Sequence, residues 1–213
     1  MVSAAQARVH RRRTFVILAA LGATEAVPIV YALTGARVIG FWPLGRVLTQ
    51  PASALGWLLA AAVAIGYAAF TASRNAGIAA RLTQFGALKV VAIAMAVSSG
   101  ITEEIVFRRI LMDVLATHGV GALVQIAASG VVFGAVHVVW IGFAGPRRIG
   151  GIVGATTLLG LALAVVYIAS GRSVVPCIIA HIAINAVLEP WLVLSAVERS
   201  WGRRSPRAPA AGV

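Results

Sequence analysis

Charge is scarce in this chain, and negative charge is the scarcest. Of 213 residues only 11% are charged, six are acidic, and Lys89 is the single lysine among 18 basic residues. Soluble domains carry roughly 25% charged residues. A chain that is 60% hydrophobic, with a mean hydropathy of +0.94, is therefore not an ordinary soluble protein. The only cysteine, Cys177, excludes an intramolecular disulfide and is expected to be a small core residue.

Long apolar runs take the place of the missing charge. A membrane-spanning helix needs about 20 mainly apolar residues. Six such runs predict an all-α, polytopic membrane bundle of about six transmembrane helices around one shared interior. They lie at about 14–33, 52–72, 87–115, 122–141, 152–170 and 174–197. We divide the chain into a basic arm at 1–13, two N-terminal spans with their loops at 14–86, a core at 87–198 and a basic tail, expected to be disordered, at 199–213.

Two of the six runs contain residues that interrupt helices. Ser98, Ser99 and Gly100 lie inside the unusually long third run, where we expect a kink or a break. Pro190 lies inside the sixth run, and we expect it to end the spanning helix early and leave an interfacial piece. The segments where the number of spans is hardest to read from the sequence are 35–51 and the residues after Pro190.

The basic residues lie mostly between and outside the apolar runs. With the N-terminus in the cytoplasm, 13 of them are cytoplasmic and only Arg37, Arg46 and Arg172 are outside. This asymmetry predicts a multi-pass protein of the inner membrane with both termini in the cytoplasm.

The net charge of +12 is not accompanied by a nucleic-acid-binding motif, so we expect the lipid bilayer as partner and no nucleic acid. The preference for arginine over lysine, with abundant alanine and glycine, is typical of a GC-rich bacterial source.

The segment 100–109 places two carboxylates and two guanidiniums inside the third apolar run. A charged side chain near the bilayer centre costs about 2.5–3.5 kcal/mol on insertion scales, so these groups must face protein or a wet cavity. Glu104 and Arg108 are four residues apart and are expected to pair, which leaves Glu103 about 100° around the helix and available. Two interpretations stay equally open for this segment alone: a general base, or an ion-pair cluster that holds helices together.

Two more polar pairs lie in later spans. Phe133 and His137 share one helical face, and so do His181 and Asn185. A single histidine in an apolar helix is more often a hydrogen-bonded core residue than a catalyst. Counting a rise of 1.5 Å per residue from the loops, however, puts Glu103 and these polar residues roughly 10–25 Å deep, around the middle of the bilayer. Their convergence is therefore a reasonable hypothesis.

The three motifs, in this order and spacing, resemble the CPBP family of intramembrane proteases, which includes the type II CAAX prenyl endopeptidases and bacterial abortive-infection and bacteriocin-immunity relatives. The resemblance covers about residues 87–188. The usual Phe-Arg-Gly of the first motif reads Phe107-Arg108-Arg109 here. Family members often have more spans, so the chain resembles a shortened member.

The resemblance implies hydrolysis of a peptide bond of a membrane-associated protein or peptide, of CAAX type or otherwise lipidated. It gives roles to six residues: Glu103 activates water, His137 assists, His181 and Asn185 stabilise the oxyanion, and Glu104 with Arg108 orients the site. The family has also been described as metalloproteases, and Glu103, His137 and His181 could then supply a His₂Glu zinc site. We prefer water activation without metal, because Asn185 is a better oxyanion donor than a zinc ligand.

Two functions of other classes compete with proteolysis. The chain could be a non-catalytic membrane scaffold or a bacteriocin or phage immunity factor that keeps the polar cluster for packing. It could also be a proton-coupled transporter, which is the weaker alternative because neither an inverted repeat nor a matched pair of broken spans is visible. Glu25, in the first run, is tied to no motif, and we favour a structural or interface-facing role for it over a role beside the site.

Overall fold

The computed structural model describes residues 3–41, 43–140, 142 and 145–198, without the side chains at 147 and 148. Within these ranges the chain is helical and contains no strand, which confirms the all-α prediction. The basic tail at 199–213 lies outside the described residues. The helices are α1 (Ala4–Leu33), α2 (Leu44–Leu48), α3 (Ala54–Arg74), α4 (Ala76–Ala79), α5 (Ala87–Glu104), a π-helix (Ile105–Ile110), α6 (Leu111–Thr117), α7 (Ala122–Val136), a 3₁₀-helix (His137–Trp140), α8 (Pro146–Ala169) and α9 (Val175–Val197).

Six helical segments are long and apolar enough to cross a membrane, as the sequence predicts. α1 and α3 are the two N-terminal spans, and the third is the continuous segment Ala87–Thr117. The fourth, Ala122–Trp140, is followed by spans in α8 and α9. Large apolar side chains such as Leu123 (83% exposed) and Ile65 (71% exposed) point outward, where lipid replaces water as their surroundings.

The basic N-terminal arm is part of the first helix, which continues without a break into the predicted span at 14–33. A capping box starts α1 at Ala4: Ser3 Oγ accepts from the Gln6 backbone N–H at 3.2 Å, and Gln6 Oε1 accepts from the Ser3 N–H at 3.1 Å. These bonds satisfy two of the backbone donors that a helix leaves free at its start. The arginines that follow are good helix formers. α1 therefore carries its basic residues on three helical turns directly before the apolar run.

The third span departs from α-helical geometry later than the sequence suggests. Residues 98–100 stay α-helical, so the helix does not break there. The Ser98 hydroxyl donates to the Met95 carbonyl of its own helix at 3.0 Å. The irregularity is instead the π-helix that begins directly after Glu104. Ser129 of α7 donates its hydroxyl to the Phe107 carbonyl inside that π-helix at 3.1 Å.

The last span runs through Pro190, so the predicted early end of this helix is also wrong. α9 continues to Val197, and Trp191, Val193 and Leu194 beyond the proline are each at most 2% exposed. Neighbouring helices tolerate a proline in a membrane helix by packing around it and bonding its freed backbone groups. A bond from another helix lies close by, where Lys89 Nζ of α5 donates to the Val187 carbonyl at 3.3 Å.

Glycines let the helices of the core approach closely. A Cβ on Gly134 of α7 would collide with the Thr157 side chain of α8, and a Cβ on Gly100 of α5 would lie 2.6 Å from the Ile182 side chain of α9. Lipid gives no hydrophobic drive for helix association, so such close contacts supply the packing energy. Cys177 is fully buried, as predicted, and its thiol donates to the Leu163 carbonyl at 3.3 Å. Contacts of this kind hold α5, α7, α8 and α9 around the polar residues.

Candidate active site

Glu104 and Arg108 form a buried ion pair behind the site. Both side chains are fully buried, and Arg108 Nε lies 3.1 Å from Glu104 Oε2, which confirms the predicted pairing. The N–H is not aligned on that oxygen, so this contact is a charge pair without hydrogen-bond geometry. Arg108 is held from two other sides: its Nη2 donates to the Gly160 carbonyl at 3.1 Å, and its Cζ lies 4.8 Å from the Phe133 ring centroid.

Glu104 also binds the histidine of the last span. Nδ1 of His181 lies 2.7 Å from Glu104 Oε1, and His181 is only 2% exposed. A carboxylate that is paired with arginine accepts hydrogen bonds, so the histidine nitrogen carries the hydrogen of this contact. Sequence reasoning missed this bond because the two residues are 77 positions apart in the chain.

His137 lies at the C-terminus of α7, where the chain changes from α- to 3₁₀-helix. Its Nδ1–H donates to the Phe133 carbonyl at 2.7 Å, and the two rings are 4.9 Å apart. Since a carbonyl oxygen can only accept, this bond fixes the tautomer of the neutral ring. Nε2 of His137 is therefore left with a lone pair that can accept a proton.

Asn185 is positioned by a serine that the sequence motifs do not include. Its Nδ2 donates to the Ser99 hydroxyl at 3.2 Å, which leaves the second amide hydrogen for another acceptor. Ser99 is 2% exposed and lies one helical turn before Glu103 on the same face of α5. The spacing of four residues between Ser99 and Glu103 was the signal that could have identified it.

A cavity of about 920 Å³ brings the predicted residues together. Glu103, His137, His181 and Asn185 all line it, whereas Glu104 and Arg108 do not and lie in the layer behind it. The convergence inferred from depth along the helices is therefore observed. The cavity wall is largely apolar with a small number of polar groups, which is typical of binding sites for organic ligands.

Glu103 differs from its neighbour Glu104 in its hydrogen bonding within the described residues. Its Oε2 is buried and makes no hydrogen bond within the described residues. A buried carboxylate oxygen without a donor is rare in folded proteins, and in a cavity lining it marks a group kept for a ligand, water or proton. The Glu104 carboxylate thus binds other side chains of the protein, whereas Glu103 Oε2 is available to a ligand, as the helical spacing suggested.

Two further carboxylates line the same cavity. Glu25 of α1 is one of them, so it lies beside the motif residues although no sequence motif includes it, and the structural role favoured for it stays a prediction. Glu189 of α9 is the other, and sequence reasoning overlooked it. Glu189 follows Asn185 by one turn and His181 by two, so the helical face that carries this motif pointed to it.

A metal ion does not fit the candidate ligands as they are placed. Among the residues that the structure describes, no three histidine, cysteine, aspartate or glutamate side chains come together as a metal-binding group. Each histidine donates from Nδ1, His181 to Glu104 and His137 to the Phe133 carbonyl, which leaves Nε2 free and is also how a metal-ligating histidine is held. It is the placement of Glu103, His137 and His181 in the described structure that differs from the His₂Glu arrangement of a catalytic zinc site.

Comparison with known proteins gives one match. No curated protein and no solved structure matches the chain. A family model described as "Type II CAAX prenyl endopeptidase Rce1-like" matches residues 85–187, a range that includes Ser99, Glu103, His137 and Asn185 but neither Glu25 nor Glu189. Residues 85–187 of this membrane protein thus match the Rce1-like type II CAAX prenyl endopeptidases, a family of proteases, and the resemblance seen in the motifs is confirmed.

Proposed function

We propose that this protein is an intramembrane endopeptidase in which Glu103 activates water to hydrolyse a peptide bond. One observation carries the proposal: the unpartnered Glu103 carboxylate lies in a cavity shared with His137, His181 and Asn185, on a segment that matches a protease family. A carboxylate in a largely apolar cavity has few competing hydrogen-bond donors. It can therefore bind a water molecule and take its proton as the oxygen attacks a carbonyl carbon.

His137 assists this step as a second acceptor. Because its Nδ1–H donates to the Phe133 carbonyl, the Nε2 lone pair of the neutral ring can accept a hydrogen bond from the same water. Two acceptors orient a lone pair of the water toward the substrate carbonyl. Proton transfer of this kind contributes typically 10²–10⁴-fold to rate.

Asn185 and His181 stabilise the oxyanion of the tetrahedral intermediate. Asn185 donates one amide hydrogen to Ser99 and keeps the other for the developing negative charge. His181 donates from Nδ1 to Glu104, so a hydrogen bond from its Nε2 to the oxyanion requires the imidazolium form. A preorganised donor of this kind is worth about 3–4 kcal/mol to an oxyanion.

Glu104 and Arg108 act by positioning and do not touch substrate in this proposal. The carboxylate fixes the His181 ring, and the guanidinium fixes the carboxylate while it bonds to the Gly160 carbonyl. These three contacts link α5, the π-helix, α8 and α9. A ligand-orienting shell of this type holds the groups that touch substrate within a fraction of an ångström of their productive geometry.

The substrate is a membrane-associated peptide or protein, and a CAAX-type lipidated peptide is the first to test. A CAAX motif carries its lipid on a cysteine close to the C-terminus. From the excess of basic residues on one side we propose that the protein lies in a bacterial inner membrane with both termini in the cytoplasm. Labelling of cysteines introduced at Arg37 and Arg74 in intact cells tests this orientation, because only the first should be reached from outside.

The experiment is cleavage of a membrane-anchored reporter by the full chain in liposomes. Glu103→Gln and His137→Ala should lower the rate by at least 10²-fold while each protein still inserts and melts like the parent. Glu198→Gln is the matched control, because Glu198 is an acid outside the cavity that contacts Arg81 at 3.4 Å. Unchanged cleavage in both cavity variants would remove proteolysis by Glu103 as the function.

A further inference from the structure

A second cavity, of about 590 Å³, lies between the start of α1 and the end of α9. None of the groups proposed for hydrolysis lines it. Its wall combines two guanidiniums with apolar side chains, a mixture that suits a ligand with one charged end and one apolar end. The lining includes Arg12, Arg13, Val9, Val16, Ile17 and Val197.

The two arginines have no acidic partner. Arg12 and Arg13 are exposed and form no ion pair within the described part of the chain, and no acid precedes Glu25 in the sequence. Glu198, at the end of α9, contacts Arg81 at 3.4 Å. Arg8 and Arg11 on the same helix add further positive charge nearby. Within the described residues, no ion pair therefore compensates the positive charge of this cavity.

The arginines lie where a membrane protein meets lipid headgroups. They directly precede the apolar run of α1, and Val16 and Ile17 lie one turn further into it. Basic residues at the end of a spanning helix lie at the level of the phosphates, while the following apolar residues lie among the acyl chains. Along α1, the cavity wall is thus charged at the headgroup level and apolar deeper in the membrane, which matches the charged headgroup and the apolar acyl chains of a phospholipid.

We propose that this cavity binds one anionic phospholipid. The phosphodiester and the charged headgroup contact Arg12 and Arg13, whose planar guanidiniums suit phosphate oxygens. The acyl chains lie along Val16, Ile17 and Val197. By charge, an anionic lipid suits this cavity better than the segment 199–213, whose Arg199, Arg203 and Arg204 would add further positive charge.

The site adjoins the cavity of the proposed reaction. Ala196 lines both cavities, and α1 and α9, which the lipid would bridge, also form walls of the larger one through Glu25 and Glu189. A bound lipid therefore holds these two walls together. We expect an anionic lipid to raise the melting temperature of the protein as well as to bind.

The experiment compares lipid binding by two double variants of the full chain in detergent. Native mass spectrometry and thermal melting are measured with phosphatidylglycerol, phosphatidylcholine and soluble glycerol 3-phosphate. R12Q/R13Q should weaken phosphatidylglycerol binding by about tenfold or more and remove its effect on melting. R8Q/R11Q removes the same charge from the same helix but not from the cavity wall, so it should bind like the parent.

Three outcomes would overturn the proposal. The first is an equal loss in both double variants, which would show diffuse attraction to the basic helix and no site. The second is equal binding of phosphatidylcholine, and the third is equal binding of glycerol 3-phosphate, which would show a site for a free anion. R12K/R13K keeps the charge and protects the test against misfolding of the glutamine variant: it should retain binding that is weaker than the parent's but stronger than that of R12Q/R13Q.

Discussion

His181 Nδ1 lies 2.7 Å from Glu104 Oε1, in a hydrogen bond that joins the last span to the third and is closed to solvent. The bond separates the roles of two adjacent carboxylates. Glu104 has a histidine and an arginine as partners, whereas Glu103 Oε2, one residue earlier, has none in the described structure. Because the two carboxyl groups have the same chemistry, only their surroundings distinguish them. This difference is the basis for assigning Glu103 to water and Glu104 to positioning.

We predict that the Glu104–Arg108 pair is needed for stability as a pair. Arg108→Met leaves a buried carboxylate without its cation and should lower the free energy of unfolding by about 3–5 kcal/mol. Replacing both residues, as in E104Q/R108M, should recover part of this loss because no uncompensated charge remains. Thermal melting of the purified proteins measures both effects.

The matched control for this pair is Arg81→Gln. Arg81 and Glu198 are partly exposed at 29% and 21%, so the loss of their contact should cost at most about 1 kcal/mol. A result in which Arg81→Gln and Arg108→Met melt alike would contradict the role given to burial.

Ser99 is predicted to be a positioning residue for Asn185. Asn185→Ala should lower kcat by about 10²–10³-fold with little change in KM, as expected for a donor that acts in the transition state. Ser99→Ala leaves the amide present but unfixed and should cost less. The double variant should be no slower than Asn185→Ala alone, because the hydroxyl acts only through the amide.

Ser98→Ala is the control for Ser99. Ser98 is also buried, at 7% exposed, but its hydroxyl donates only to carbonyls of its own helix. The Ser98→Ala variant should keep the parent's kcat. If the effects of Ser99→Ala and Asn185→Ala multiply, the hydroxyl acts independently of the amide and the assignment is wrong.

The π-helix is predicted to depend on Ser129. Its hydroxyl is fully buried and donates to the Phe107 carbonyl, so Ser129→Ala leaves this acceptor without a side-chain donor and should cost about 1–3 kcal/mol of stability. Cleavage should also slow, since Arg108 lies in the same π-helix. Ser73→Ala, at an exposed serine that donates to the Phe70 carbonyl of its own helix, should change neither melting nor rate.

The contact between α7 and α8 is predicted to require glycine at position 134. Gly134→Ala would press a methyl group against the Thr157 side chain and should destabilise the protein by about 1–3 kcal/mol. Gly154→Ala, on α8, meets nothing within 4 Å and should be neutral or stabilising by up to about 1 kcal/mol. Equal melting temperatures for the two variants would show that α7 and α8 can move apart without loss of stability.

The sequence predicted those features that depend on local pattern. Pairing of Glu104 with Arg108 followed from helical spacing, and the shared face of His181 and Asn185 also pointed, unnoticed, to Glu189. Predictions failed where neighbours override local preference. Pro190 was expected to end a helix, but packing of α9 against the bundle keeps the residues beyond it helical and buried. The serines before Gly100 were expected to interrupt α5, but the irregularity follows Glu104 as a π-helix.

The sequence by itself determined that this is a six-span helical membrane protein with polar motifs at comparable depth. The physical reason is that a hydrocarbon layer requires about 20 apolar residues for each crossing, whatever surrounds them. Only the tertiary structure decided which polar groups bind each other and which remain available. Contacts such as His181 with Glu104, or Asn185 with Ser99, depend on the rotation and separation of helices that pack through glycine, and no local spacing encodes them.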